Sequence, residues 1–302
     1  MMFIIKPLTF KITTIIIAPA RQIRHVTVLS RTSETNRMNT AHSVLITGAS
    51  TGIGAVYADR FARRGHTLVL VARDTARLEA LAARLRKETA VAIDVVTADL
   101  TQPDDLRRVE AHLREDTRIG ILVNNAGMAQ TGGFLEQSAE DIERLLTLNT
   151  LALARLAAAI APRLAAAGEG GVINVGSVVG LAPEFGMTLY GATKAFVLFL
   201  SQGMQLELGP KGVHVQAVLP AGTRTEIWSR AGIDPDTLPD LMEVNELVDA
   251  ALVGFDRREK VTIPPLQDAS HWDALQGSRQ ALLGDIRQAH AAERYRRGDG
   301  PA

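Results

Sequence analysis

The stretch Thr47-Gly48-Ala49-Ser50-Thr51-Gly52-Ile53-Gly54 decides the fold. Just before it, Val44-Leu45-Ile46 is apolar without alternation, the pattern of a strand buried on both faces. Just after it, Gly54 to Arg64 reads as a helix with Gly65 as its stop. Glycines in this position let the main chain turn sharply and come close to a ligand. The unpaired amides that open the helix then suit a pyrophosphate. Three glycines occur in many turns; the strand before and the helix after give these their meaning.

The alternation continues outward. Thr67 to Ala72 is a second apolar strand, and Leu78, Leu81 and Leu85 line one face of the helix that follows. Val91 to Thr97 is a third strand. Thr101 is expected to cap the next helix, with Pro103, Asp104 and Asp105 in its first turn and Leu106, Val109 and Leu113 as its buried stripe. Ile119 to Val123 is a fourth strand. Ser138 and Asp141 open another helix in the manner of a capping box, and an alanine-rich helix of about Leu146 to Ala167 follows, with Pro162 as an expected kink. Val172 to Val175, Val213 to Leu219 and Val261 to Ile263 read as strands five to seven. Tyr190 to Leu208 is a long apolar helix, and a last helix runs from Trp272 to Arg296. Uniformly apolar strands alternating with helices predict an α/β domain: a parallel sheet of about seven strands, doubly wound, with its ligand edge at the carboxyl ends of the strands. With no internal repeat and no interior linker, residues 38–302 read as one domain.

The 302 residues include 33 basic and 33 acidic side chains and no cysteine, and 46% are hydrophobic. No cysteine means no disulfide, thiolate metal site or cysteine nucleophile. The balanced charge argues against a nucleic-acid partner, and the seven histidines show no metal-ligand spacing. No uncharged apolar run approaches the roughly 20 residues that span a bilayer, so no membrane partner is expected. The first 37 residues differ from the rest, with six basic residues (Lys6, Lys11, Arg21, Arg24, Arg31, Arg37) against the single acid Glu34. Removing them leaves 27 basic and 32 acidic residues, a net of −5. Three readings of this leader compete: a signal peptide ending at Ala18-Pro19-Ala20, an arginine-bearing presequence, and a start assigned too early, with Met38 the true one. The last is favoured, because the first strand and its glycine turn follow Met38 closely. The expected location is then cytoplasmic, beside the cofactor.

The glycines of the opening stretch are spaced Gly-x-x-x-Gly-x-Gly, and this spacing resembles the short-chain dehydrogenase/reductase family. Asn124-Asn125-Ala126-Gly127 after strand four strengthens the resemblance. Asn149, Ser177, Tyr190 and Lys194 match the family's catalytic tetrad, with Ser177 preceding Tyr190 by 13 positions and Tyr190 preceding Lys194 by four. Pro220-Ala221-Gly222-Thr223-Arg224-Thr225 after strand six completes the set. The resemblance covers about Ser43 to Ile263. It implies a hydride transfer between a nicotinamide cofactor and a carbonyl or alcohol substrate. The residues implied to hold the cofactor are Gly48, Ser50, Thr51, Gly52, Ile53, Gly54, Arg73, Asp99, Leu100, Asn125, Ala126, Gly127, Tyr190, Lys194, Pro220, Gly222, Thr223 and Thr225. Tyr190 and Lys194 share one helical face, where a cation lowers the phenol pKa and readies it for proton exchange. Ser177 is placed to hold the same substrate oxygen, and the resemblance assigns Asn149 a water that relays protons past Lys194. A non-catalytic dinucleotide sensor or scaffold is the rival, and such proteins usually lose the tyrosine or the lysine. Gly176 for a serine, Thr193 for a serine and Ala221 for a glycine are the departures; the last puts the loop's backbone in doubt.

Strand two ends at Ala72-Arg73-Asp74, with no acid at the ribose-binding position and a guanidinium next to it that suits a 2′-phosphate. NADP(H) is therefore preferred, with NAD(H) second, although Asp74 and the uncharged Thr51 complicate this. Asp99 is expected to bond the adenine amino group. The alanine-rich and Tyr190–Leu208 helices look too apolar for one covered side, and in the resembling family they pair across a two-fold axis, so a homodimer or homotetramer is expected. The substrate pocket is expected to be apolar, built from Met128, Phe134, Leu181, Pro183, Phe185, Met187, Leu189, Ile227 and Trp228 under a lid at Gly232 to Asp240. Arg224 belongs to the cofactor side, Arg230 lies farther along the same stretch, and Glu184 points to solvent. An uncharged, moderately hydrophobic ketone or aldehyde fits such a pocket.

Overall fold

The computed structural model describes residues 42–129, 133–226, 228 and 234–296, which all belong to one compact unit. The leader, Ile227, Arg230 and the first residues of the expected lid lie outside them. The strands β1 (Ser43–Thr47), β2 (Leu68–Ala72), β3 (Ile93–Thr97), β4 (Ile119–Asn124), β5 (Gly171–Val175), β6 (His214–Val218) and β7 (Val261–Thr262) form a seven-stranded parallel sheet in the order β3-β2-β1-β4-β5-β6-β7. Val44 lies opposite Leu68 on one side and Ile121 on the other, so β1 is flanked by β2 and β4. The chain runs outward from β1 to β3, then crosses back to β4. The strand order reverses there, and the β1 and β4 loops diverge to leave the crevice where such sheets bind ligands.

The helices are α1 (Gly52–Arg63), α2 (Thr75–Thr89), α3 (Pro103–Glu115), α4 (Ala139–Leu146), α5 (Leu153–Ala167), α6 (Thr188–Leu208), α7 (Val244–Asp256) and α8 (Ser270–Asp285). Alternate residues of the inner strands feed two cores. Val44 and Ile46 pack with Tyr57 and Phe61 of α1, Leu78 of α2 and Leu247 of α7. Leu45 and Leu122 pack with Val109 of α3 and Leu156 and Ile160 of α5. Burial on both faces is why these strands carry no polar alternation. At the sheet edge β3 is only half covered, and there Asp94 is exposed while Ile93 is buried.

Several expectations are corrected. Thr101 does not cap α3: its amide and hydroxyl both donate to Asp99 Oδ1, at 3.0 and 2.7 Å, and Gln102 takes the cap position. The Ser138-capped helix and the alanine-rich helix are continuous, joined by a π turn over Thr147–Ala152. The joined helix, Ala139–Ala167, is long and apolar enough to cross a membrane by length and composition. Leu153, Leu156, Ile160 and Leu164 are instead buried, the last three of them in the second core. Helix α7 is not among the expected elements, although Val244, Leu247, Val248, Ala251 and Leu252 follow a helical period. The last helix ends at Asp285 rather than Arg296. No residue of α8 is buried, so no core contact extends it further.

Candidate active site

The glycine turn is shaped by two separate demands. Gly48 and Gly52 have φ of +65° and +55°, a left-handed backbone that favours glycine. Gly54 is needed for space: a Cβ there would lie 2.3 Å from the Gly48 carbonyl oxygen and 2.5 Å from Asn125 Nδ2. Asn125 fastens this turn to the β4 loop. Its Nδ2 donates to the carbonyls of Thr47 and Gly48, at 2.9 and 3.1 Å, and its main-chain N donates to Thr47 Oγ1 at 3.0 Å. Ala126 N donates to the same hydroxyl. The first turn of α1 holds no acidic residue, and its N-cap Thr51 makes no side-chain capping bond. The amides of that turn therefore face the crevice unneutralised, a place for a diphosphate.

At the neighbouring edge, Arg73 is exposed and makes no hydrogen bond or ion pair among the described residues. Asp74 is already engaged: Oδ1 accepts from the Arg77 amide at 3.0 Å to cap α2, and Oδ2 lies 3.4 Å from Arg77 Nε. The acid that complicates the sequence reading thus serves as the N-cap of α2. Asp99 Oδ1 is held by Thr101, and Leu100 is buried beside it.

The opposite end of the crevice gathers Ser177, Tyr190 and Lys194. Ser177 caps a short 3-10 turn, accepting from Val179 N at 3.2 Å, and its Oγ donates to the Pro220 carbonyl at 3.3 Å. Lys194 is buried, and its Nζ donates to the Val175 carbonyl at 3.0 Å, 5.5 Å from the centre of the Tyr190 ring. Asn149 sits in the π turn, fully buried behind this group. Its Oδ1 accepts from Met128 N, and its Nδ2 donates to Met128 O and to Thr193 Oγ1. Thr193 passes the connection on by donating to the Tyr190 carbonyl at 2.7 Å. A Cβ on Gly127 would lie 3.3 Å from Asn149 Oδ1 and 3.7 Å from Lys194 Nζ, so glycine there keeps the space between them open.

The electrostatics correct one expectation. Burial pushes the Tyr190 phenol up to about 12, with the Ser177 hydroxyl pulling it the other way, and burial brings the Lys194 amine down to about 8. Lys194 lies over the ring face with its amine bonded to the Val175 carbonyl, so burial sets the direction of the shift at both groups. The sign for stability follows. From about pH 8 to 10.5 the unfolded lysine holds a proton that the folded one lacks, so stability gains from Lys194 as pH rises across that window. Between pH 10 and about 12 the tyrosine works in the opposite sense. Lys194 is charged at neutral pH and loses that charge near pH 8. The free-enzyme kcat/KM for the cofactor is expected to fall as pH rises through about 8, by up to about tenfold per unit once the amine is neutral. A profile flat from about pH 7 to 9.5 would remove Lys194 from cofactor binding.

The stretch after β6 closes the crevice. Pro220, Gly222, Thr223 and Thr225 line it, and Trp228 Nε1 donates to the Thr223 carbonyl at 2.7 Å. Ala221 does not adopt a left-handed backbone, so replacing glycine there costs no strain. Arg224 bonds Asp236 at 2.6 Å and Glu243 at 3.1 Å, tying this stretch to the described part of the expected lid. Together these elements line an open cleft of about 930 Å3. All the anticipated site residues line it except Gly54 and Asn149, which support it from behind. Of the anticipated substrate-pocket residues, Met128, Phe185, Met187 and Trp228 line the cavity, whereas Phe134, Leu181, Pro183 and Leu189 do not. The short turns Val178–Leu181 and Pro183–Phe185 direct Leu181 and Pro183 elsewhere. Leu148, Val179 and Glu226 line it unanticipated.

Residues 42–235 match the family model for short chain dehydrogenase. The chain belongs to that family. It is 34% identical over 187 residues to a very-long-chain 3-oxoacyl-CoA reductase of Bos taurus, a match covering 61% of this chain and 60% of that protein. The chain thus matches less than two thirds of the length of such curated relatives. Among solved structures, a short-chain dehydrogenase from Sphingobium yanoikuyae in complex with NADPH is 72% identical, covering 84% of this chain and 100% of that one, with a TM-score of 0.83. A bulky-bulky ketone specific alcohol dehydrogenase from Comamonas testosteroni is 64% identical, covering 84% of this chain and 98% of that one, with a TM-score of 0.79.

Proposed function

We propose that the protein is an NADP(H)-dependent oxidoreductase that interconverts an uncharged, bulky, hydrophobic ketone and its secondary alcohol. One observation carries this reading: a single cavity joins the glycine cradle and Arg73 at one end to Ser177, Tyr190 and Lys194 at the other. The residues fit the cofactor. Gly48, Gly52 and Gly54 leave a hollow that side chains would fill, and the amides opening α1 meet no acid there. Arg73 is free for a 2′-phosphate among the described residues, while Asp74 caps α2 through Oδ1 and has Arg77 beside Oδ2, which favours NADP(H) over NAD(H). The NADPH bound in the Sphingobium relative supports the same preference, and the name of the Comamonas relative supports the ketone.

When bound, NADPH supplies the hydride for reduction. The Tyr190 phenol gives its proton to the carbonyl oxygen while the Ser177 hydroxyl holds that oxygen. Lys194, charged below about pH 8, steadies the phenolate that remains. Both ends of the Asn149 side-chain amide are already bonded, so Asn149 braces Met128 and Thr193 behind the reacting groups. Retention of all four groups in one place supports an enzyme over a sensor or scaffold. Met128, Leu148, Val179, Phe185, Met187 and Trp228 give the substrate end an apolar, adaptable wall. Phe199 and Leu206 on α6 are about three-quarters exposed, which supports a homodimer or homotetramer built through this helix. We place the enzyme in the cytoplasm with its cofactor.

The test is a panel of ketones, aldehydes and alcohols run against both cofactors, following nicotinamide absorbance. Bulky uncharged ketones with NADPH are expected to react fastest. Arg73→Ala is expected to weaken NADPH by about tenfold or more and to leave NADH nearly unchanged, since it removes a charge-assisted bond to the 2′-phosphate alone. Equal losses with both cofactors would overturn the phosphate assignment. Turnover of anionic compounds alone would overturn the apolar pocket.

A further inference from the structure

We propose that Glu226 and Arg77 form a clasp over the cofactor channel that sets how fast NADP(H) enters and leaves. The clasp rests on the cofactor reading above and adds a residue pair that the chemistry does not use. Glu226 lies in the stretch after β6 and lines the cavity, and Arg77 stands in the first turn of α2, the helix capped by Asp74, which lines the same cavity. Arg77 Nη1 donates to both oxygens of Glu226, at 2.9 and 2.8 Å, joining segments 149 residues apart. Arg77 is held in place from behind, because Asp74 Oδ1 accepts from its amide and Asp74 Oδ2 lies 3.4 Å from its Nε.

The same stretch is fixed on its other side. The Thr225 methyl lies 3.4 Å from where a Cβ on Gly52 would be, so it rests against the opening turn of α1. Thr223 is buried, and its carbonyl accepts from Trp228 Nε1. The chain therefore forms a closed bridge from the start of α1, through Thr225 and Glu226, to Arg77 at the start of α2. The diphosphate position at α1 and the 2′-phosphate position at Arg73 both open into the channel that this bridge crosses. A dinucleotide seated at both positions cannot pass until one end of the bridge opens. The end at Gly52 is a packing contact on a loop, whereas the end at Arg77 is an ion pair half exposed on both sides. Such a pair is individually weak and is screened by salt, as a reversible fastening must be. An ordinary surface pair would share those properties, but it would not fasten one lining residue of the cavity, Glu226, to the helix that starts beside another, Asp74.

The experiment measures NADPH release by stopped-flow fluorescence displacement in the full chain, in Arg77→Gln, in Glu226→Gln and in the double variant. Each single variant is expected to release NADPH about fivefold faster. The double variant should release it no faster than either single one, because opening the clasp from one side or both is the same event. Wild-type release should quicken with added salt while the variants respond little. Additive single effects, or wild-type release rates in both single variants, would overturn the clasp. So would slower release in Glu226→Gln with faster release in Arg77→Gln, which would make Arg77 a ligand of the phosphate. A melting temperature that falls in both single variants while release stays constant would assign the pair a structural role and also overturn it. If the wild-type chain bound no NADP(H), the cofactor reading itself would fail and the clasp with it; normal binding with unaltered release removes the clasp alone.

Discussion

Tyr190→Phe is expected to lower turnover by about a thousandfold while the affinity for NADPH stays near that of the wild type. The ring is retained in this change, so its packing beside Lys194, 5.5 Å from the ring centre, is kept. What is lost is the hydroxyl, the group placed to exchange a proton with the substrate oxygen. With the phenol pushed up to about 12, the proton is present across the neutral range, so its removal cannot be disguised by a change of pH. Lys194→Ala differs in kind. Lys194 carries a buried charge and bonds the Val175 carbonyl, so its loss should impair both cofactor binding and turnover. Steady-state rates with the best ketone of the panel, together with NADPH titration by fluorescence, separate the two effects. A Tyr190→Phe enzyme that kept wild-type turnover would end the assignment of the phenol as proton donor.

The parts of the molecule that repeat a simple pattern are legible in the sequence. Strand cores such as Leu68–Ala72 are apolar because both faces are covered, and that is a property of each residue alone. The glycine turn is legible because three glycines are confined there between a strand and a helix. The cavity's reactive end is legible only through spacing, since Tyr190 and Lys194 lie one helical turn apart and Ser177 follows a strand that reaches the crevice. Pairings between segments are hidden. Nothing in the sequence tells Asp74 to cap α2 and hold Arg77 rather than meet a ribose, or Thr101 to turn back to Asp99 instead of capping α3. The direction of the phenol pKa escapes the sequence for the same reason. Helical spacing places Lys194 beside Tyr190, but where the amine points is decided by the Val175 carbonyl on another element. The pocket wall departs from expectation at Leu181 and Pro183, where two successive short turns set side-chain direction through backbone angles that residue type does not reveal.

Gly54→Ala is expected to cost about 3 kcal/mol of stability and to abolish cofactor binding. The backbone angle of Gly54 is one that alanine accepts, so the penalty is entirely one of room. An added Cβ would sit 2.3 Å from the Gly48 oxygen and 2.8 Å from its carbonyl carbon, inside the distance that real contacts allow. Those are backbone atoms of a residue whose φ is +65°, with little freedom to retreat. The third neighbour, Asn125 Nδ2 at 2.5 Å, is bonded to two carbonyls and is the tie between the β1 and β4 loops. Relief of the overlap must therefore part the turn from α1 or break that tie, and either change spoils the cradle for the diphosphate. For a domain of this size the loss corresponds to a melting temperature lower by about 6–12 °C. Gly277→Ala is the matching control. It lies within α8 with nothing within 4 Å of its added Cβ, so the same substitution there should be neutral or stabilising by up to about 1 kcal/mol. Thermal melts and NADPH titration of the two variants decide the matter: a Gly54→Ala protein with wild-type melting temperature and affinity would show that the turn tolerates a side chain, and the close approach of Gly48 to α1 would no longer account for that glycine.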